Sequence, residues 1–366
     1  MRRNATRRTF PRSPPPATWI PHPVNQSGAG HEWIRTDRLG NLENHFLRFG
    51  FHQGSLYKVF IDEETTPRQA GIVQLDLLTG LPLLKGAQNP IDGQVYLTGM
   101  QVWGSRSTLT SGLRRLRYTG KPSVLPTEAR IFRQGILLRF EQTLPSSTMT
   151  DLSRYVVQRW NYLRSPKYGS SHYRLNGQTG QDPVALSQIE VSHDGKALFA
   201  VAPDMQPSHQ LSFDYRLEDT SGRPMRNTAY FTAHTLPEFE PAKAGFPPFT
   251  IGEAAYPTLA AAPGPVSIEE GKSLSLRLGC LGCHSTDGSM VGMKGPGWKG
   301  LYQSDRLLTN GKTVVATPDY LRESILNPTA KTARGFDTGE TGMPPYEGIL
   351  KEEQLQSIIL YLKSLR

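Results

Sequence analysis

The sequence predicts a multidomain chain of 366 residues, an all-β N-terminal region followed by an all-α C-terminal domain. Three observations carry that prediction. Up to about residue 238, apolar residues alternate with polar ones in short runs bounded by Gly, Pro and Asp, the period-2 pattern of strands. From residue 266 the apolar spacing changes to three and four, the period of helices. Residues 239–265 between them are rich in Pro and Ala, and both cysteines, Cys280 and Cys283, fall after that break.

Along the chain, residues 1–30 read as a disordered tail. Five arginines fall within the first 12 residues with no acid among them, so over half of the formal net charge of +9 sits there. Residues 31–120 carry four strand patterns, at Leu56 to Ile61, Gly71 to Leu77, Gln94 to Trp103 and Leu113 to Tyr118. Four strands in about 65 residues is the size of one propeller blade or one small antiparallel sheet. Residues 121–238 carry seven more: Arg130 to Phe132, Ile136 to Phe140, Tyr155 to Trp160, Gln188 to Val191, Ala197 to Val201, Gln210 to Tyr215 and Thr228 to Thr232. That number suits an Ig-like or fibronectin-like β-sandwich. His193-Asp194-Gly195-Lys196 reads as a hairpin turn, which makes His193 a turn residue rather than a ligand. His22, His31, His45 and His52 read as solvent-exposed loop histidines. Residues 239–265 read as a stiff linker with little to bury.

Residues 266–366 begin with Ser267 and Glu270 at capping-box spacing, followed by Leu274 and Leu278 at helical separation. This helix runs into Cys280-Leu281-Gly282-Cys283-His284. Two thiols three apart with an imidazole beside the second are what covalent haem attachment requires: each thiol forms a thioether and the histidine binds the iron. A zinc site of the usual kind needs four ligands, and no second CxxC or HxxxH follows. A plain disulfide has no use for the histidine, and a redox pair should follow a strand in a βαβ pattern. For a sixth ligand, Met343 lies between Gly342 and the pair Pro344-Pro345, and no histidine follows His284. Met290 and Met293 are rivals that would need a sharp reversal, and a methionine at 343 could equally fill a core gap. Leu355, Ile358, Ile359, Leu362 and Leu365 form the stripe of a terminal amphipathic helix.

From Gly271 to Leu365 the chain resembles a class I cytochrome c domain. The likeness rests on the haem motif, Lys294-Gly295-Pro296-Gly297-Trp298-Lys299-Gly300-Leu301, Tyr320-Leu321-Arg322-Glu323-Ser324-Ile325, Met343-Pro344 and Tyr361-Leu362. It is especially similar to the cytochrome domain fused to some cytochrome oxidase second subunits. The resemblance implies one haem c. It further implies that the Pro296 carbonyl orients His284, that Trp298 packs by the haem, and that Gly271 lets the first and last helices cross closely near Tyr361.

The earlier region resembles the last part of bacterial sorbosone or glucose dehydrogenase-like β-propeller proteins that carry a cytochrome. Here the likeness rests on Trp19 to Ser27, Asn89 to Tyr96 and Gly112 to Gly120. No position matches a quinone-site residue or a catalytic base, so no catalytic residue is assigned.

These readings predict a His/Met-ligated electron-transfer c-type cytochrome serving redox partner proteins, such as another cytochrome, a terminal oxidase or a dehydrogenase. The alternative is the C-terminal part or a subunit of a quinone-dependent sugar or alcohol dehydrogenase whose haem feeds the respiratory chain. Covalent haem predicts a periplasmic or other extracytoplasmic location, yet no 7–15-residue apolar signal core lies near Met1. A start cut short of both signal and earlier blades would account for this; so would export bound to a partner. No stretch of 18 apolar residues is present for a transmembrane helix. Residues 266–366 hold 12 Lys and Arg against 11 Asp and Glu, and no aromatic-interleaved basic motif accompanies the tail, so nucleic-acid binding is not predicted.

Overall fold

The computed structural model describes residues 14–22, 24–25, 27–105, 107–163, 170–250, 266–277, 280, 284–288, 295–336, 343, 346–347 and 350–365. The first strands are β1 (Gly28–Trp33), β2 (Phe46–Gly50), β3 (Ser55–Asp62), β4 (Gln69–Leu78), β5 (Leu83–Gln88), β6 (Val95–Met100), β7 (Ser111–Leu116), β8 (Glu128–Phe132) and β9 (Gly135–Arg139). After the short helix α1 (Ser146–Met149) come β10 (Tyr155–Tyr162), β11 (His172–Tyr173), β12 (Asp182–Pro183), β13 (Gln188–Val191), β14 (Ala197–Val201), β15 (Ser208–Glu218) and β16 (Pro224–Ala233). Each strand placed by alternation forms. The additional strands are β1, β2, β5 and the two-residue β11 and β12; β1, β2 and β5 read GAGHEW, FLRFG and LLKGAQ, too glycine-rich or too irregular to signal themselves, and are made strands by their neighbours.

The strands expected to make one blade divide between two sheets. β3 and β4 belong to a nine-stranded sheet ordered β1-β2-β3-β4-β16-β15-β10-β11, with β12 also on β10, whereas β6 and β7 join β5 in a three-stranded sheet. The chain leaves the first sheet through Gly80, whose φ of 72° suits glycine, before entering β5. The large sheet also crosses the expected division at residues 120 and 121, because β4 pairs with β16 through Gly71↔Phe231, Ile72↔Tyr230 and Val73↔Ala229. A Cβ on Gly71 would stand 2.6 Å from the Phe231 ring, so this seam depends on a bare backbone under an aromatic side chain.

A four-stranded sheet, β13-β14-β9-β8, packs against the large one. β14 is buried along its whole length because its two faces serve two cores. Leu198 and Ala200 join Phe213, Tyr215 and Phe231 between the sheets, while Ala197, Phe199 and Val201 point outward to meet Phe239 and Phe246. Phe199 and Phe239 stack at 3.7 Å. The first part of the expected linker is therefore a cover for the sheet: its three phenylalanines, Phe239, Phe246 and, at the margin, Phe249, gather there because β14 has no polar face to give to water. Residues 251–265 lie outside the described residues. The expected tail is corrected in the same way from residue 14 onward. The Trp19 N–H donates to the Thr232 hydroxyl at 2.8 Å and its ring meets Tyr162 at 5.5 Å, whereas the arginine-rich residues 1–13 lie outside the described residues.

His52 is buried and His45 half-buried, unlike the exposed loop residues expected, because β2 and β3 carry the chain around them into the sheet. Burial, with the nearby Lys58 cation second, lowers the His45 pKa to about 4. Lys58 on β3 is wholly buried. Its Nζ donates to the carbonyls of Asn41 and, at 2.8 Å, Pro126, and lies 4.9 Å from the Phe60 ring centroid. It thus ties the loop before β2 to the segment leading into β8. Burial pushes the Lys58 pKa down to about 7.

In the C-terminal region, α2 (Ile268–Arg277), α3 (Pro318–Leu326) and α4 (Glu352–Ser364) enclose a core of Leu274, Trp298, Leu321, Leu355, Ile358 and Leu362. The Ser267 hydroxyl accepts the Glu270 N–H at 3.0 Å, as the capping spacing predicts. Thr317 caps α3, with Pro318 in the first turn. A small hairpin, β17 (Asp305–Leu307) and β18 (Thr313–Val315), turns at Asn310-Gly311 and adds a β element to the expected all-α domain. α2 crosses α4 at Gly271, where a Cβ would lie 2.0 Å from the Ser357 carbonyl oxygen and 2.8 Å from Tyr361 Cβ.

Two outcomes follow. The Lys58 pKa is lowered on folding, so between about pH 7 and pH 10.5 the unfolded chain binds more protons and this lysine makes stability rise with pH. Lys58→Met should flatten that rise in denaturant titrations across the window, relative to the parent chain. Gly271→Val should lower the stability of the C-terminal region by about 3 kcal/mol, since helix backbone has to move to admit the side chain; thermal unfolding followed by α-helical circular dichroism measures it.

Candidate haem site

α2 points the chain toward Cys280, and the His284 N–H donates to the Cys280 carbonyl at 3.1 Å, one helical turn on. Residues four apart in such a turn share a side, so the Cys280 thiol and the His284 ring start from one face of the segment. Cys280 is half-buried at the edge of the helical core and His284 is 8% exposed. Cys283, the second expected attachment residue, lies outside the described residues, as do Met290 and Met293.

The imidazole is held on three sides. His284 Nδ1 stands 2.8 Å from the Pro296 carbonyl oxygen. A carbonyl only accepts, so Nδ1 carries the proton and the coordinating lone pair of the neutral ring belongs to Nε2. Gly295 lies against the ring: a Cβ there would sit 2.4 Å from Cε1 and 2.7 Å from Nδ1. Trp298 stacks on the imidazole, 5.1 Å between centroids at 24°. The Trp298 backbone N–H donates to the Ser285 carbonyl at 2.7 Å, and the indole meets Tyr361 of α4 edge-on, 6.2 Å between centroids. Burial raises the Tyr361 phenol pKa.

Met343 is half-buried and packs against the same core. Its neighbours Gly342, Pro344 and Pro345 lie outside the described residues. Thus Cys280, His284, Pro296, Trp298 and Met343 all border one apolar core. Gly295 and Ser285 were missed in the sequence reading. The glycine's signal was its place before Pro296, whereas Ser285 holds the Trp298 backbone through its carbonyl oxygen, which residue type does not reveal.

Among the described residues of this region, the buried polar groups are Ser275, His284, Ser285 and Ser357, with no buried Asp, Glu, Lys or Arg. An orienting carbonyl, a lone pair on Nε2 and a thiol one turn away, in an apolar setting, fit the donor set of a haem attached through sulfur. No helix among the described residues is long and apolar enough to cross a membrane.

Comparison with known families agrees with this geometry. Residues 268–366 match the family model described as Cytochrome c. No curated protein matches the chain, and no relative supports the likeness of the strand-rich region to sorbosone or glucose dehydrogenases. Residues 268–366 are a cytochrome c domain in a chain whose preceding region is all β.

Proposed function

We propose that this protein is a single-haem electron-transfer cytochrome, with haem c attached through Cys280 and Cys283 and ligated by His284 and Met343. The observation that carries the reading is the His284 ring, held by the Pro296 carbonyl so that Nε2 is the coordinating atom. Haem c, when bound, supplies a one-electron ferric–ferrous couple.

The protein's own contribution is orientation and dryness. Pro296 keeps the proton on Nδ1, and its bond to the ring raises the basicity of the ligand. Trp298 covers one face of the imidazole and excludes water from it. A thioether from Met343 would favour the reduced state and leave no open position for substrate. We assign the β region to positioning the domain beside its redox partners, outside the cytoplasm where haem c is attached. Its two packed sheets and the aromatic cover from residues 239–250 suit a rigid support.

Produced with an export signal and haem-maturation machinery, the chain should keep its haem after denaturation. Met343→Ala should retain that covalent haem and lose the far-red sulfur-to-iron band of the oxidised protein; survival of the band would remove Met343 from the ligand set. Gly295→Val should push the imidazole off the Pro296 carbonyl and weaken iron ligation about 10–100-fold, read as ligand exchange with added imidazole. An unchanged exchange affinity would show that the close approach at Gly295 has no bearing on the ligand.

A further inference from the structure

β7 ends the three-stranded sheet, so its outer edge has no strand beside it among the described residues. An open edge presents a row of backbone N–H and C=O groups ready to pair. The inner face of this sheet, with Val95 and Leu97, is buried. Its outer face is mixed and uncovered: β6 gives it Tyr96, Thr98 and Met100, and β7 gives it Ser111, Leu113 and Arg115. Thr98 pairs with Leu113 and Met100 with Ser111, which sets Leu113 diagonal to Met100 on that face, 63% and 54% exposed. Trp103, 56% exposed, lies over Phe51 at 4.4 Å. Large apolar side chains gathered on one edge sheet mark an interaction surface more often than isolated ones do.

Charge selects the occupant. Between Leu83 and Lys121 the sequence holds six Lys and Arg residues and a single acid, Asp92, which already accepts from the Tyr96 hydroxyl at 2.8 Å. Arg114 and Arg115 lie in β7 itself and Arg117 just beyond it. A second copy pairing edge to edge would set these arginines against one another, and like charges directly opposite destabilise a strand pair. An acidic strand would meet complementary charge along the edge and apolar side chains on the outer face.

We propose that β7 is a docking edge for an extended acidic segment of a partner protein, added as a fourth strand with its apolar side chains over Met100 and Leu113. Strand addition draws affinity from main-chain pairing and specificity from alternate side chains. Arginine-rich edges can also serve only to prevent pairing; here the exposed Leu113 and Met100 argue against a purely protective edge.

The test is amide hydrogen exchange of the full chain with a peptide of about eight residues alternating valine and glutamate, beside its valine–lysine counterpart. The acidic peptide should slow exchange at alternate amides within residues 111–116 by about tenfold, and salt near roughly 0.5 M should reverse most of that protection. Arg114→Glu with Arg115→Glu should move the preference to the lysine peptide; should that variant not fold, the salt titration of the parent chain decides. No protection at 111–116, or equal protection by both peptides, overturns the proposal. So does protection that grows with protein concentration alone, which would assign the edge to a second copy. Oligothymidine binding to this face while the acidic peptide fails would assign it to nucleic acid and overturn it equally.

Discussion

The close crossing of α2 and α4 at Gly271 is the constraint on which the haem-binding domain depends. With no side chain at 271, the backbone of α2 lies against the Ser357 carbonyl and the Tyr361 Cβ. Tyr361 then reaches Trp298, and Trp298 stacks on His284. A single missing methyl group is thereby connected, through two aromatic contacts, to the orientation of the His284 ring. Because packed interiors do not deform smoothly, a shift in the helix crossing would move the tyrosine, the indole and the imidazole together.

The β region meets a related demand by different means. Its smaller sheet has apolar side chains on both faces, so the chain after β16 folds back and covers the outer face with Phe239 and Phe246. Across the sandwich, Lys58 holds carbonyls from two separate segments. A buried lysine is expensive because desolvation opposes its charge, and the lowered pKa reflects that cost. What it gives in return is satisfaction of two backbone acceptors where both loops pass beneath the sheet.

The surroundings of His284 suit the one-electron role proposed for the domain. Moving one electron asks for fixed ligands and a small response of the medium, and the described neighbours of the ring include a backbone carbonyl, a glycine and an indole.

Local chemistry alone determined much of this protein. Two thiols three apart beside a histidine and a serine three residues before a glutamate act over a few bonds, so they can be read without knowing the fold. The strand at β14 could be read as well, although the apolar run ALFAV cannot say that its two faces serve different cores. Only tertiary structure decided that β4 joins β16, that the supposed linker covers a sheet and that β1, β2 and β5 are strands. It likewise decided that Gly295 and the Ser285 carbonyl support the site. The physical reason is shared: these outcomes rest on backbone atoms and apolar area brought together over long sequence distances. Backbone groups are the same in every residue, and apolar area does not name its partner.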